Sequence, residues 1–210
     1  MENKKLRNQL LIYIFGIFIA TLGINMLLRS QLGAGPWDAV TYNLSVLTGL
    51  TLGTTSAVIN LTLIAIVLGF NRNKKYLIIV LPTLVMAVFI DFWDLIVLRN
   101  YYPSHVGLQV IFLVVGLYII SIGIALMIRT NLITMALEEL TKLVMRILKT
   151  KQFLVGRFTI EMIALSLATL FGLMANIGLG AIGYTTLFIA VVIGPLISFN
   201  MKMFKKIDFK

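Results

Sequence analysis

Acidic side chains inside long apolar runs are where this sequence could do chemistry. Asp91 and Asp94 fall in or near the outer end of one such run, and Glu161 stands about a third of the way into another, one turn after Arg157. An ionised group in lipid is costly, so a retained one marks a functional site by default. The chemistry open to these carboxylates is cation or proton binding. Each also has a plainer use. Asp91 could pair with a buried donor and Asp94 could sit at the interface. Glu161 could satisfy itself with Arg157, since a spacing of four brings two helical side chains together.

Arg29 and Arg129 end two further runs. They could snorkel to headgroups or neutralise a helix C-terminus. The sharper expectation is a pair of gates, Arg29 with Asp38 and Arg129 with Glu138, one on each side. Asn25, Asn60, Thr83, Thr185 and Thr186 are uncharged polar groups in or at the ends of the runs. They either bond to neighbouring helices or contact a solute. His105 is the single histidine and there is no cysteine. No metal site, thiol nucleophile or Ser/His, paired-Asp or metal-ligand constellation can be assembled from these residues, so neither an enzyme nor a cofactor is expected.

The elements that must position these groups are helices in lipid. Of the 210 residues, 60% are hydrophobic and 12% charged, with a mean hydropathy of +1.00. An average soluble domain carries about 25% charged residues. A span needs about 20 apolar residues, and six fit: 10–28, 53–70, 76–98, 106–128, 153–173 and 182–201. They use up the length, so one transmembrane domain covers 1–210. The runs are too long and too evenly apolar for barrel strands.

Charge placement orients the spans. Sixteen of the 18 Lys and Arg residues fall on one side of a six-span arrangement: Lys4, Lys5 and Arg7; Arg72, Lys74 and Lys75; Arg129, Lys142, Arg146, Lys149, Lys151 and Arg157; Lys202, Lys205, Lys206 and Lys210. Only Arg29 and Arg99 fall on the other. Excess Lys and Arg mark the cytoplasmic side. Both termini are therefore expected in the cytoplasm. The net charge of +10 belongs to lipid headgroups and not to nucleic acid.

A shift of 100 residues lays 16–32 over 116–132 with six of seventeen identities, among them Gly16/Gly116, Gly23/Gly123 and Arg29/Arg129. The offset then becomes 103. Gly53 meets Gly156, Gly69 meets Gly172, and 83–90 meets 186–193 with five of eight identical. The glycines are expected to let helices approach closely. Each repeat, about 8–98 and 106–203, holds three spans. An odd number inverts the second copy, and inverted repeats are a hallmark of secondary transporters.

Each repeat also carries an insert after its first span. In the first, Gly33, Gly35, Pro36 and Trp37 form a turn suited to starting a helix. Trp37, Val40, Leu44 and Leu47 form an apolar stripe, with Asp38, Asn43 and Ser45 off it. The result is a short amphipathic helix, interfacial or re-entrant. In the second, Leu137, Leu140, Val144 and Ile147 form the stripe of a regular interfacial helix, and Glu138 pairs with Lys142.

The stretch Leu-Leu-Arg-Ser-Gln-Leu-Gly-Ala-Gly-Pro-Trp-Asp (27–38) and the turn Leu-Thr-Gly-Leu-Thr-Leu-Gly-Thr (47–54) resemble the signature of YczE/YyaS/YitT-type bacterial membrane proteins. Ile90-Asp91 and Ile193-Gly194-Pro195 fit the same pattern, while Ala34 and Ala181 depart from it. The resemblance implies a polytopic protein of the bacterial plasma (inner) membrane. It carries over no catalytic residue. The expected function is transport or channelling of a small solute, in contact with membrane lipid and, in a homo-oligomer, with a second copy of the chain. The alternatives are a solute-binding subunit of a multi-part importer and a non-transporting scaffold or regulator.

Overall fold

The computed structural model describes residues 2–133 and 135–206. The side chains of residues 2, 3 and 206 lie outside that description, as does Lys210. Every regular element among the described residues is helical.

α1 (Glu2–Ser30) leads through a short extended segment into α2 (Pro36–Thr48). Gly35 precedes α2 and Pro36 opens it, since proline's missing N–H is not needed at a first helical position. Gly49 closes α2 in the left-handed conformation (φ 73°), its N–H donating to the Ser45 carbonyl. α3 (Leu52–Asn71) starts at Thr51, whose hydroxyl accepts from the Thr54 N–H. Lys74–Ile79 form a 3₁₀ turn before α4 (Val80–Asp91), and Phe92–Val97 continue it as a wider π-type turn. There the Leu98 N–H reaches back to the Trp93 carbonyl at 2.8 Å. The third span is therefore not one regular helix. α5 (Val106–Arg129), α6 (Ala136–Ile147), α7 (Phe153–Met174) and α8 (Thr186–Met203) complete the chain.

Six segments are long and apolar enough to cross a membrane: Lys4–Ser30, Leu52–Asn71, Lys74–Val97, Val106–Arg129, Phe153–Met174 and Thr186–Met203. Large apolar side chains such as Leu154, Val191 and Val106 stand wholly outward. Water would not tolerate so many, and lipid does. This is a multi-pass membrane protein. One boundary is corrected: residues 182–185 were expected in the last span, but they belong to the preceding connection. Backbone bonds to the α1–α2 segment hold them there, with the Thr185 N–H donating to Leu32 O.

α1 and α5 cross antiparallel and form the most extensive contact in the molecule. Gly16 lies on Gly123 and Gly23 on Gly116. A Cβ at Gly23 would stand 2.6 Å from the Gly116 carbonyl oxygen, and one at Gly123 would stand 2.5 Å from the Gly16 carbonyl oxygen. Only glycine permits that approach, and in lipid such close packing is the main force between helices. α2 packs along α7 and also touches α3; α6 packs on α7 and on α3; α4 packs on α1 and α8 on α5. α3 packs closely on α4, whereas α8 is the least covered of the six long helices.

Candidate functional site: a cavity between the short helices

The segments before α2 and before α8 lock together. The Ala34 N–H donates to the Ala181 carbonyl at 3.0 Å, so the two positions that depart from the family-like motif meet through their backbones. The Thr185 hydroxyl donates to Leu32 O at 3.0 Å. Gly33, at φ 133°, leaves no room for a side chain: a Cβ there would stand 2.8 Å from the Thr185 hydroxyl oxygen. Both a side-chain-free α-carbon and a backbone angle that L residues avoid are needed here.

Asn43 fastens α2 beneath this junction. Its amide donates to Ala168 O at 2.7 Å and Leu179 O at 3.0 Å, and its oxygen accepts from the Ala181 N–H at 3.0 Å. Ala39 and Val40 pack on Ala164 and Ala168. The expectation that Asn43 and Ser45 lie on a free polar face of α2 is corrected, since both are buried. The partners of Asn43 come from α7 and the 177–181 turn, more than 120 residues away, and a helical stripe cannot reveal that; the Ser45 hydroxyl donates to the Tyr42 carbonyl of its own helix.

So held, the start of α2 opens on a cavity of about 200 Å³. Gly35, Pro36, Trp37 and Asp38 line it from α2, Met135 and Leu137 from the start of α6, and Arg157 and Glu161 from α7. Apolar side chains of α1, α4, α5 and α8 form most of the remaining wall, with Ser56 and Asn60 of α3. Arg157 and Glu161 form the ion pair that their spacing suggests, at 2.7 Å. That pair uses one carboxylate oxygen. The other, Glu161 Oε2, is buried with no hydrogen-bond partner, and so is Trp37 Nε1. Glu161 as a whole is 9% exposed.

Asp38 is not the gate partner of Arg29. Its carboxylate makes no hydrogen bond or ion pair among the described residues and folds back over Gly35. Burial pushes the Asp38 carboxyl up to about 7, and the nearby Glu161 charge adds to the rise. The part of Asp38 that remains accessible lies on the cavity wall. A carboxylate in the first turn of α2 also sits in the favourable field of the helix N-terminus, but burial outweighs it.

Arg29 instead bonds Asp94 through the carboxylate Oδ1 and the backbone carbonyl, and stacks 4.4 Å from the Tyr102 ring. Asp94 can be reached because the π-type turn carries it toward the end of α1. Arg129 likewise does not meet Glu138: it donates to the Phe204 and Lys205 carbonyls, the latter at 2.9 Å. Lys142 pairs at 2.6 Å with Glu139, one turn away, rather than with Glu138. Glu138 lines a second cavity of about 330 Å³ beside Asn131 and Leu132. Burial raises its carboxyl, offset in part by Lys142.

The other candidates are structural ties. Asp91 accepts from the Thr51 hydroxyl and the Gly53 N–H, both at 2.7 Å. It thus caps α3 across the α3–α4 contact, as carboxylates do at helix N-termini, and lies outside the cavity wall. Asn25 ties α1 to α4 through Ile90 O at 3.3 Å. The Thr83 hydroxyl donates to Ile79 O, and the Thr186 hydroxyl accepts from the Gly183 N–H. Of the uncharged candidates only Asn60 lines the cavity, its amide donating to Ser56 O at 2.9 Å. Gly35, Pro36 and Trp37, read in the sequence as a turn, are cavity wall.

The comparisons with known proteins agree with the motif. The chain is 29% identical over 170 residues to the "Uncharacterized protein YyaS" of Bacillus subtilis (strain 168), covering 81% of this chain and 83% of that protein. It is 30% identical over 134 residues to the "Uncharacterized membrane protein YczE" of the same organism, covering 60% of this chain and 62% of that protein. No solved structure matches. The DUF6198 model matches residues 7–202, and the chain belongs to that family, described as a family of unknown function.

Proposed function

We propose that this protein carries or channels a small solute across the bacterial plasma membrane and holds it in the cavity between α2 and α6. The observation that carries this reading is the meeting of two short-helix N-termini at one cavity that contains unpartnered polar groups. Transporters built from repeats place their sites where interrupted helices end inside the membrane.

The packing supports an inverted repeat. The repeat equates Gly16 with Gly116 and Gly23 with Gly123, while the contacts join Gly16 to Gly123 and Gly23 to Gly116. A two-fold axis between α1 and α5 produces that exchange. The contacts α2–α7 and α6–α3 are exchanged in the same way, as are α1–α4 and α5–α8. With both termini cytoplasmic, the interlocked segments before α2 and α8 and the Arg29–Asp94 pair all lie on the outer side.

The test is uptake by purified protein in liposomes without ATP, using labelled small amines, amino acids, carboxylates and sugars. At least one solute should enter faster than into empty liposomes, and Glu161→Gln should lower that rate at least tenfold. No flux of any class would end the reading. Flux that requires an added ATPase partner would favour the importer subunit.

A further inference from the structure

We propose that the α2–α6 cavity is a binding site for a small organic monocation, an ammonium group on an apolar body, with Asp38 and Glu161 as its counter-ions. This deepens the transport reading, because it rests on the same cavity being the solute site.

Charge balance comes first. The charged residues on the wall are Asp38, Glu161 and Arg157. With both carboxylates ionised they sum to one negative charge, which a single monovalent cation neutralises. Arg157 is committed to Glu161, so an anionic ligand would meet two carboxylates and only a partly engaged guanidinium. Unsatisfied acceptors come second. The free oxygen of Glu161 and the unbonded Asp38 carboxylate both require donors, and an ammonium group brings three. A bare metal ion fits poorly, because hard divalent cations want six or more oxygens while most of this wall is Ile, Leu and Met.

Size and surface come third. The cavity is small, about 200 Å³, and suits a compact ligand. The apolar wall on α1, α4, α5 and α8 suits a hydrocarbon body, and the Trp37 ring is the kind of surface that attracts ammonium. The unpartnered Trp37 Nε1 donor adds a preference for an oxygen on the ligand. A small branched amine, or the matching amino alcohol, meets all three requirements.

The experiment is calorimetric titration of the detergent-purified full chain with probes sharing one branched skeleton: 3-methylbutylamine, valinol, 3-methylbutan-1-ol and 3-methylbutanoate. The amines should bind, valinol the more tightly, and the alcohol and carboxylate at least tenfold more weakly. Asp38→Asn and Glu161→Gln should each weaken amine binding at least tenfold while eluting as monodisperse protein. Binding should weaken as pH falls from 8 to 6, because the site must shed a proton before it can pair with the amine. Amine binding equal to that of the alcohol, unchanged binding in a folded Asp38→Asn variant, or no amine binding at all would overturn the assignment. The two readings fail separately. Amine binding without flux would leave the site and end the transport reading. Flux of a neutral or anionic solute without amine binding would do the reverse.

Discussion

Asp38→Asn is expected to lower solute flux at least a hundredfold while leaving the protein's abundance in the membrane unchanged. Asp38 contributes nothing visible to folding, for its carboxylate makes no hydrogen bond or ion pair among the described residues. It faces the cavity beside Glu161. Two charges 4 Å apart interact by about 4 kcal/mol at an effective dielectric of 20. Losing even two-thirds of that for a bound cation is about a hundredfold. The stability effect should run the other way. Asp38 holds its proton up to about pH 7 in the folded state but only to about 3.9 when unfolded. The folded protein binds more protons in that window, so wild-type stability falls as pH rises from about 4 to about 7. Asn carries no such titration. Melting temperatures at pH 5 and pH 8 should therefore show the variant gaining on the wild type at the higher pH. A variant with normal flux, or one that is only less stable, would show that Asp38 is structural.

Gly23→Leu is expected to abolish accumulation of folded protein. The added Cβ would stand 2.6 Å from both the Gly116 carbonyl oxygen and an Ile120 side-chain carbon, and 2.8 Å from the Ile120 nitrogen. Backbone atoms cannot rotate away, so α1 and α5 must separate along their shared seam. Overpacking a core usually costs about 1–3 kcal/mol. A backbone clash at the largest helix contact should reach or exceed the top of that range. Gly69→Leu is the control, because a Cβ there meets nothing within 4 Å. Size-exclusion profiles of fluorescently tagged variants separate the outcomes. The Gly69 variant should elute as wild type, and the Gly23 variant as aggregate or not at all. A monodisperse Gly23→Leu peak would mean that the α1–α5 seam is looser than described.

The spans were legible in the sequence because a lipid-solvated helix needs an apolar run, and local composition carries that signal. The Arg157–Glu161 pair was legible for the same reason, four residues being one helical step. What failed were the two gates named between elements, Arg29 with Asp38 and Arg129 with Glu138, and the Glu138–Lys142 pair within α6. Arg29 could be matched to Asp38 only by supposing a direct fold-back. The π-type turn at Phe92–Val97 swings Asp94 into reach instead, and nothing in the spacing announces that turn. Asn43 looked like a solvent-facing residue on a short amphipathic helix, yet its three partners lie between 125 and 138 residues away. Asp91 carried the intramembrane-carboxylate signal for a different cause, since the start of α3 needs a cap. Asp38 and Trp37 were singled out as a gate and a turn. That they form the wall of a cavity shared with α6 depends on how the two halves pack.

The most direct test of the central claim is whether the cavity can be reached from both sides of the membrane. The chain has no cysteine, so Ser56→Cys places a single thiol on the cavity wall. A membrane-impermeant cationic methanethiosulfonate would be applied to intact cells and, separately, to inside-out vesicles. Modification is expected from each side, slowed by saturating valinol. Modification from only one side, or from neither while the protein remains folded, would make the cavity a pocket or a sealed void and contradict the transport reading.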